Sequence, residues 1–118
     1  MKRPGHVALV PFPFTDLRGA KLRPILLLRK ASHRHDDWLV CMISSRLDQA
    51  EPELDELLLP EHDDFPASGL KVPSVLRVSR LAVVAGDLLS GSIGTLSDSR
   101  LHAVRHRLCN WIIDNDAP

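Results

Sequence analysis

The chain has no tyrosine, only two cysteines, and no apolar run near the roughly 20 residues that a membrane-spanning helix needs. Each shortage excludes something. A helical membrane span is excluded, and no small-residue cleavage site follows the basic Lys2-Arg3 start, so the cytoplasm is the expected compartment. Cys41 falls in a predicted strand and Cys109 in a predicted helix. Neither shows the paired spacing of a zinc site, and both are expected as buried thiols packing as small hydrophobes. Three Phe and two Trp leave few platforms for stacking on nucleobases. There is no glycine-rich phosphate loop and no Gly-x-Ser-x-Gly turn. His33 and His35 beside Asp36 and Asp37, and His102 with His106 one helical turn on, lack further ligands at recognisable spacing. No metal and no other cofactor is therefore expected. The formal net charge is zero, which argues against a protein that coats nucleic acid non-specifically.

The distribution of charge says more than its sum. Residues 1–46 carry nine Lys/Arg against three Asp/Glu, whereas residues 47–70 carry eight Asp/Glu and no Lys or Arg. A basic face that attracts phosphates beside an acidic one that repels them is one reading; ordinary solvated surface is the other. The length of 118 residues fits one domain, 1–118, with a single modest core.

Apolar runs at 6–10 and 24–30 read as two strands buried on both sides or closed into a small barrel. Pro11 and Pro13 are expected to bar regular pairing, so that the first strand frays into a basic loop containing Asp16, Arg18, Gly19, Lys21 and Arg23. Residues 38–43 form a third strand ended by Ser44 and Ser45. A short strand is expected at 54–59, where flanking Pro52 and Pro60 leave too little room for a helix. Imperfect alternation over 74–79 predicts a half-exposed strand, which 81–85 extends after a kink. Gly86, Gly91 and Gly94 allow at most a short strand at 88–94. Ser97 then caps a helix with Asp98 in its first turn and an apolar stripe of Leu101, Val104, Leu108 and Ile112. Short strands, Pro/Gly-rich turns and one terminal helix make a mainly β fold, a compact barrel with a C-terminal helix packed on it.

The segments Val10-Pro11-Phe12-Pro13-Phe14-Thr15-Asp16 and Lys21-Leu22-Arg23-Pro24, followed by an aliphatic strand, resemble the start of PemK/MazF-like toxins. Cys41-Met42-Ile43-Ser44-Ser45, Leu70 to Arg77, and Ile93-Gly94-Thr95-Leu96-Ser97 fit the same family in order, so the likeness spans nearly the whole chain. The resemblance implies an SH3-like barrel, a homodimer, and the ribonuclease half of a toxin–antitoxin pair. It implies metal-independent cleavage of single-stranded RNA to a 2′,3′-cyclic phosphate and a 5′-hydroxyl, with a cognate antitoxin occupying the RNA groove.

Such cleavage sends the 2′-oxygen onto the adjacent phosphorus and gathers negative charge on the phosphoryl oxygens. It needs a proton acceptor, a proton donor and fixed positive donors. A guanidinium is planar, multi-donor and always charged, so charge stabilisation is the role expected of Arg23, which matches the family's catalytic Arg-Pro arginine. Ser44 matches a position where many members carry a catalytic Thr; it keeps the hydroxyl and loses the methyl that fixes the rotamer. Arg77 aligns with an arginine that some members use, but the Asp found two residues later in those members is Ser79 here. The implied RNA-binding surface comprises Phe12, Phe14, Thr15, Asp16, Arg18, Lys21, Ser45 and Arg46. Core packing is the equal alternative for Phe12 and Phe14. His6 replaces a common acidic residue and reads as an edge residue or a titrating acid/base. Two further readings stay open: a toxin of this fold that binds DNA gyrase through the end of the helix around Trp111, and a decayed member that no longer cuts.

Overall fold

Continuous apolar runs arise here because one sheet is covered on both faces. The structure, a computed structural model, describes residues 2–12 and 21–114. Its six strands are β1 (His6–Phe12), β2 (Lys21–Lys30), β3 (Asp37–Ser44), β4 (Glu56–Leu58), β5 (Ser74–Ala85) and β6 (Ser92–Thr95). They form one antiparallel sheet in the order β4-β5-β3-β2-β1-β6, and the helix α1 (Asp98–Ile113) follows. Alternate side chains divide between two cores. Val7, Leu26, Leu28, Cys41 and Ile43 face α1, where Leu101, Val104 and Leu108 meet them. Ala8, Val10, Ile25, Leu27, Trp38 and Val40 form a second cluster on the other face. This is the period-two pattern of a strand, with both faces apolar.

The long strand β5 serves both cores by breaking that period. Cys41 pairs with Leu81 and Met42 with Arg77, so Val78, Ser79 and Arg80 are inserted without a partner on β3. An odd insertion exchanges the faces of a strand. Leu76 and Val78 accordingly join the helix-side core, while Val84, an even number of residues further on, joins the other. The half-exposed strand expected at 74–79 is corrected by this. Ser74, Val75, Leu76 and Val78 are all buried, because β4 and α1 cover them.

Pro11 does not fray the first strand. It pairs with Leu22, and β1 runs on to Phe12. The reason lies in which way each proline's missing N–H would point. Leu9 sends its own N–H and C=O away from β2, to Gly91 and Ser90. Leu9↔Pro24 and, two residues on, Pro11↔Leu22 are thus non-hydrogen-bonded pairs of the β1–β2 ladder. Pro11 faces outward beyond the end of β6, whose pairing covers only His6 to Ala8. Pro24 faces outward beyond the first β2–β3 pair, Ile25↔Met42. Neither ring removes a ladder bond.

The expected small barrel with a C-terminal helix is what forms, curled into a half-barrel. Among the described residues β4 and β6 are not paired to each other; a 3-10 turn, Pro66–Ser68, packs onto β6 instead. The approach is close enough to require glycine. A Cβ on Gly94 would lie 2.3 Å from both the carbonyl carbon and oxygen of Ser68, and one on Gly69 would lie 2.0 Å from the Ile93 carbonyl oxygen. Gly69 also takes a left-handed φ of 76° to end that turn.

Helix α1 starts where the sequence puts it: the Ser97 hydroxyl accepts the Arg100 N–H. Its arginines then reach across the sheet. Arg100 binds Asp64 through two nitrogens at 2.9 and 3.1 Å and Glu56 at 2.9 Å. Arg107 reaches the Asp55 carbonyl, and Arg105 the Leu28 carbonyl. Two expectations fail near the helix end. Cys109 is exposed, since a residue next to Leu108 on the wheel turns some 100° out of the apolar stripe. Ile112 is also exposed, because Leu108 is the last helical residue to reach the core. Cys41 is buried as expected, and burial pushes its thiol up to about 12.

Two stability measurements follow. Gly94→Ala forces a methyl into the backbone of the Pro66–Ser68 turn, and urea unfolding is expected to show a loss of about 1–3 kcal/mol. An unchanged midpoint would mean that the turn is free to move away. The second concerns Asp64, whose hydrogen bonds from Arg100 hold its carboxyl below the usual range. A lowered native pKa stabilises the fold above the unfolded carboxylate value of about 3.9, and the contribution disappears as pH falls through the native value. Asp64→Asn should therefore cost about 1–3 kcal/mol at neutral pH. The gap from the parent protein should close at the acid end of a pH series; a constant gap would contradict the linkage.

Candidate functional site

Three neighbouring strands bring the sequence-predicted cationic and hydroxyl residues to one face. Arg23 shares the parity of Ile25 and Leu27, so it stands on the face away from α1. The β2–β3 ladder pairs Ile25 with Met42; continued by two residues, that register sets Arg23 opposite Ser44. On the far side of β3, Arg77 pairs with Met42. Arg23, Ser44 and Arg77 thus lie across β2, β3 and β5 in one cleft of about 790 Å³, and Ser45 lines it too.

The groups differ in how firmly they are held. Arg23 is exposed and makes no hydrogen bond or ion pair with the described residues. Ser44 Oγ accepts the Arg46 N–H at 3.0 Å, which leaves its proton to donate into the cleft. Arg77 is fixed: its Nε donates to Asp55 Oδ2 at 3.0 Å and its Nη1 to Gln49 Oε1 at 3.2 Å, with the side chain 12% exposed.

Lys21 begins β2, exposed and paired with Phe12. Arg46 is exposed at the exit of β3, where it pairs with Asp48 at 3.4 Å outside the cleft lining. Phe14, Thr15, Asp16 and Arg18 lie outside the described residues, as does the side chain of Phe12. His6 sits four residues back from Val10, the partner of Arg23, or ~13 Å along the strand. Partial burial, with help from Arg3, lowers its pKa. That separation keeps it apart from the cleft, on an inner strand where it pairs with Thr95 of β6. Among the described residues no three His, Cys, Asp or Glu side chains are grouped to hold a metal; the His102 and His106 rings lie 6.0 Å apart without a third partner.

Four participants escape sequence reasoning. Lys71 and Arg80 line the cleft, and Gln49 and Asp55 hold Arg77. Lys71 carried a signal as the first cation after the acidic segment. The broken alternation around Ser79 marks the insertion that turns Arg80 to the same cleft. Asp55 carried none, being one of eight acids in a segment that reads as solvated.

The electrostatics follow from these pairings. Among the described residues Arg23, Lys71, Arg77 and Arg80 line the cleft with Ser44, Ser45 and Ser74, and no carboxylate is among them. The acidic segment is turned elsewhere. Asp55 is spent on Arg77, and Glu56 and Asp64 on Arg100, where with Asp63 they line a separate hollow at the start of α1. A surface like the cleft is suited to a phosphodiester: positive, rich in donors, and free of acids among the described residues.

Comparisons with known proteins bear on this cleft and on the fold. The sequence profile of the PemK-like, MazF-like toxins of type II toxin–antitoxin systems matches residues 3–112. No curated protein sequence matches the chain. Among solved structures, one similar fold is an endoribonuclease in complex with its cognate antitoxin from a mycobacterial species. It is 13% identical, with a TM-score of 0.68 over 100% of both chains. The Mycobacterium tuberculosis toxin MazF-mt6 is 23% identical, with a TM-score of 0.64 over 95% of this chain and 99% of that one. A MazE–MazF structure from Deinococcus radiodurans is 20% identical, with a TM-score of 0.68 over 94% and 95%. At such identities the likeness establishes the fold.

Proposed function

The chain belongs to the PemK-like, MazF-like toxins of type II toxin–antitoxin systems, and we propose that it is a metal-independent endoribonuclease acting on single-stranded RNA. The observation that carries this reading is the cleft itself: among the described residues four cations and three serines line it, and no carboxylate does. On this reading the scissile phosphate sits between β2 and β5. The Arg23 guanidinium meets the charge that grows on the phosphoryl oxygens as the 2′-oxygen attacks, and the Ser44 hydroxyl donates to one of them. Arg77, already oriented, supplies a second positive donor that needs no reorganisation. Attack of the 2′-oxygen forms the new P–O bond as the bond to the 5′-oxygen breaks, which leaves a 2′,3′-cyclic phosphate and a 5′-hydroxyl. A cognate antitoxin is the natural regulator of such a site. The antitoxins named with two of the similar structures support that partner here, and a homodimer would extend the groove.

A second reading rests on a different observation. Trp111, Ile112 and Ile113 are consecutive, apolar and 49%, 64% and 71% exposed at the end of α1. A toxin that works by binding a protein such as DNA gyrase would use a patch of that kind.

Digestion of RNA by the purified chain in excess EDTA, with fragment ends mapped, separates the two. Metal-free cuts leaving a cyclic phosphate and a 5′-hydroxyl are expected. Arg23→Ala should lower the rate by about 10²-fold or more with an unchanged melting temperature, since Arg23 is exposed and unpaired among the described residues. A folded Arg23→Ala protein that still cuts at full rate would remove Arg23 from the site. Folded parent protein that does not cut would overturn the nuclease reading, and inhibition of gyrase supercoiling would then favour the second.

A further inference from the structure

Beneath the cleft lies a carboxylate that the reaction above does not use. The Asp55 side chain is 0% exposed and accepts four hydrogen bonds. They come from the Glu51 N–H at 2.9 Å, Arg77 Nε at 3.0 Å, the Ser79 N–H at 2.9 Å and the Ser79 hydroxyl at 3.1 Å. Three of these donors meet Oδ2 and the Ser79 N–H meets Oδ1, in a side chain with no exposed surface. Asp55 is therefore out of reach of a substrate bound in the cleft.

What it does instead follows from its donors. Ser79 is the middle residue of the three-residue insertion in β5, and its N–H has no partner on β3. Asp55 takes that N–H and the Ser79 hydroxyl together, so a single side chain holds the insertion in shape. The insertion is what delivers two arginines to one cleft. Arg77 and Arg80 are an odd number of residues apart and would point to opposite faces of a regular strand, yet both line the cleft. The same carboxylate also takes Arg77 Nε while Gln49 takes Nη1, which leaves Nη2 without a partner among the described residues. Its own backbone is fixed in turn. The Asp55 N–H binds the Glu51 carbonyl, Arg107 binds the Asp55 carbonyl, and Glu53 holds a left-handed φ of 69° in the turn between.

We propose that Asp55 is a positioning residue of the ribonuclease site: its buried carboxylate pins the β5 insertion and so aims Arg77 and Arg80 into the cleft. The inference rests on the nuclease reading. It also gives the missing acid at position 79 a physical counterpart, a carboxylate brought to Ser79 from the β4 side.

The test is steady-state cleavage of a defined single-stranded RNA oligonucleotide by the full chain and two variants, with folding followed by circular dichroism. Asp55→Asn is nearly isosteric but turns an NH₂ toward donors that need an acceptor. It should lower kcat by about 10–100-fold with KM within about threefold, because substrate is still captured by Lys71 and Arg23 while the oriented guanidinium is lost. Ser79→Ala removes only the hydroxyl bond and keeps the N–H. It should fold like the parent and lower kcat by about threefold, and it carries the test if Asp55→Asn does not fold. Parent-like kcat in either folded variant overturns the proposal, as does a loss confined to KM. A folded parent chain that cuts no RNA overturns both the proposal and the nuclease reading, whereas an active parent beside a fully active Asp55→Asn overturns the proposal alone.

Discussion

A β-strand shows its side chains with a period of two, so it can change the face it serves only by inserting an odd number of residues. The rest of this structure depends on one such insertion, Val78 to Arg80 in β5. Leu76 before it and Val78 at its start pack toward α1; after it, Ala82 and Val84 pack on the opposite face. One strand thereby closes both cores of a small chain. It pairs with β3 on either side of the insertion and with β4 at its start, so the sheet curls around its own insertion. The cleft opens where that curl leaves the cation-bearing ends of β2 and β5 facing each other across β3.

An insertion leaves backbone donors without ladder partners, and a buried N–H must be satisfied by something else. The acidic segment supplies it. Three of its eight carboxylates are ordered partners of arginines rather than a solvated counterweight: Asp55 for Arg77, and Glu56 and Asp64 for Arg100. Glu56 also faces Arg107 at 3.5 Å through Oε2, an oxygen that is buried and has no well-aligned donor. This pairing makes a neutral protein locally polar. These three acids are taken up against the helix and beneath the cleft, and Arg23, Lys71 and Arg80 are left exposed in the cleft.

Much of this was legible in the sequence because period and capping are local. The strands at 6–10, 24–30 and 38–43, the short strand near Leu58, and a helix started by Ser97 depend on neighbours along the chain, and each is found in place. Arg23, Ser44, Ser45 and Arg77 were recognisable through a family likeness, and they share one cleft. What failed depends on contacts between distant segments. Pro11 was misread because its effect turns on which neighbour faces the missing N–H, a property of the ladder and not of the residue. Cys109 and Ile112 were misread because the reach of the core along a helix is set by the sheet beneath it. Asp55 left no mark, since nothing local separates a carboxylate that will be buried against β5 from seven others that precede or follow it.

The four cations that line the cleft among the described residues are not equivalent, and on the nuclease reading the difference suits a polyanion that must be both caught and changed. A donor fixed before the substrate arrives pays no reorganisation when charge develops, whereas a mobile one follows the chain and raises its local concentration. Arg77, tied at two nitrogens and nearly buried, is of the first kind. Lys71 and Arg80 are exposed and without partners among the described residues, and so of the second. Arg23 lies between the two. Its backbone is held by pairing with Val10 while its guanidinium is free to adjust to a phosphate opposite Ser44. Mobile cations lose their hold as salt screens them, with a Debye length of about 8 Å at physiological ionic strength; a guanidinium desolvated against its own carboxylate is screened much less. Affinity and turnover in this cleft thus respond to different residues, because one arginine had its geometry settled by a buried acid and the others did not.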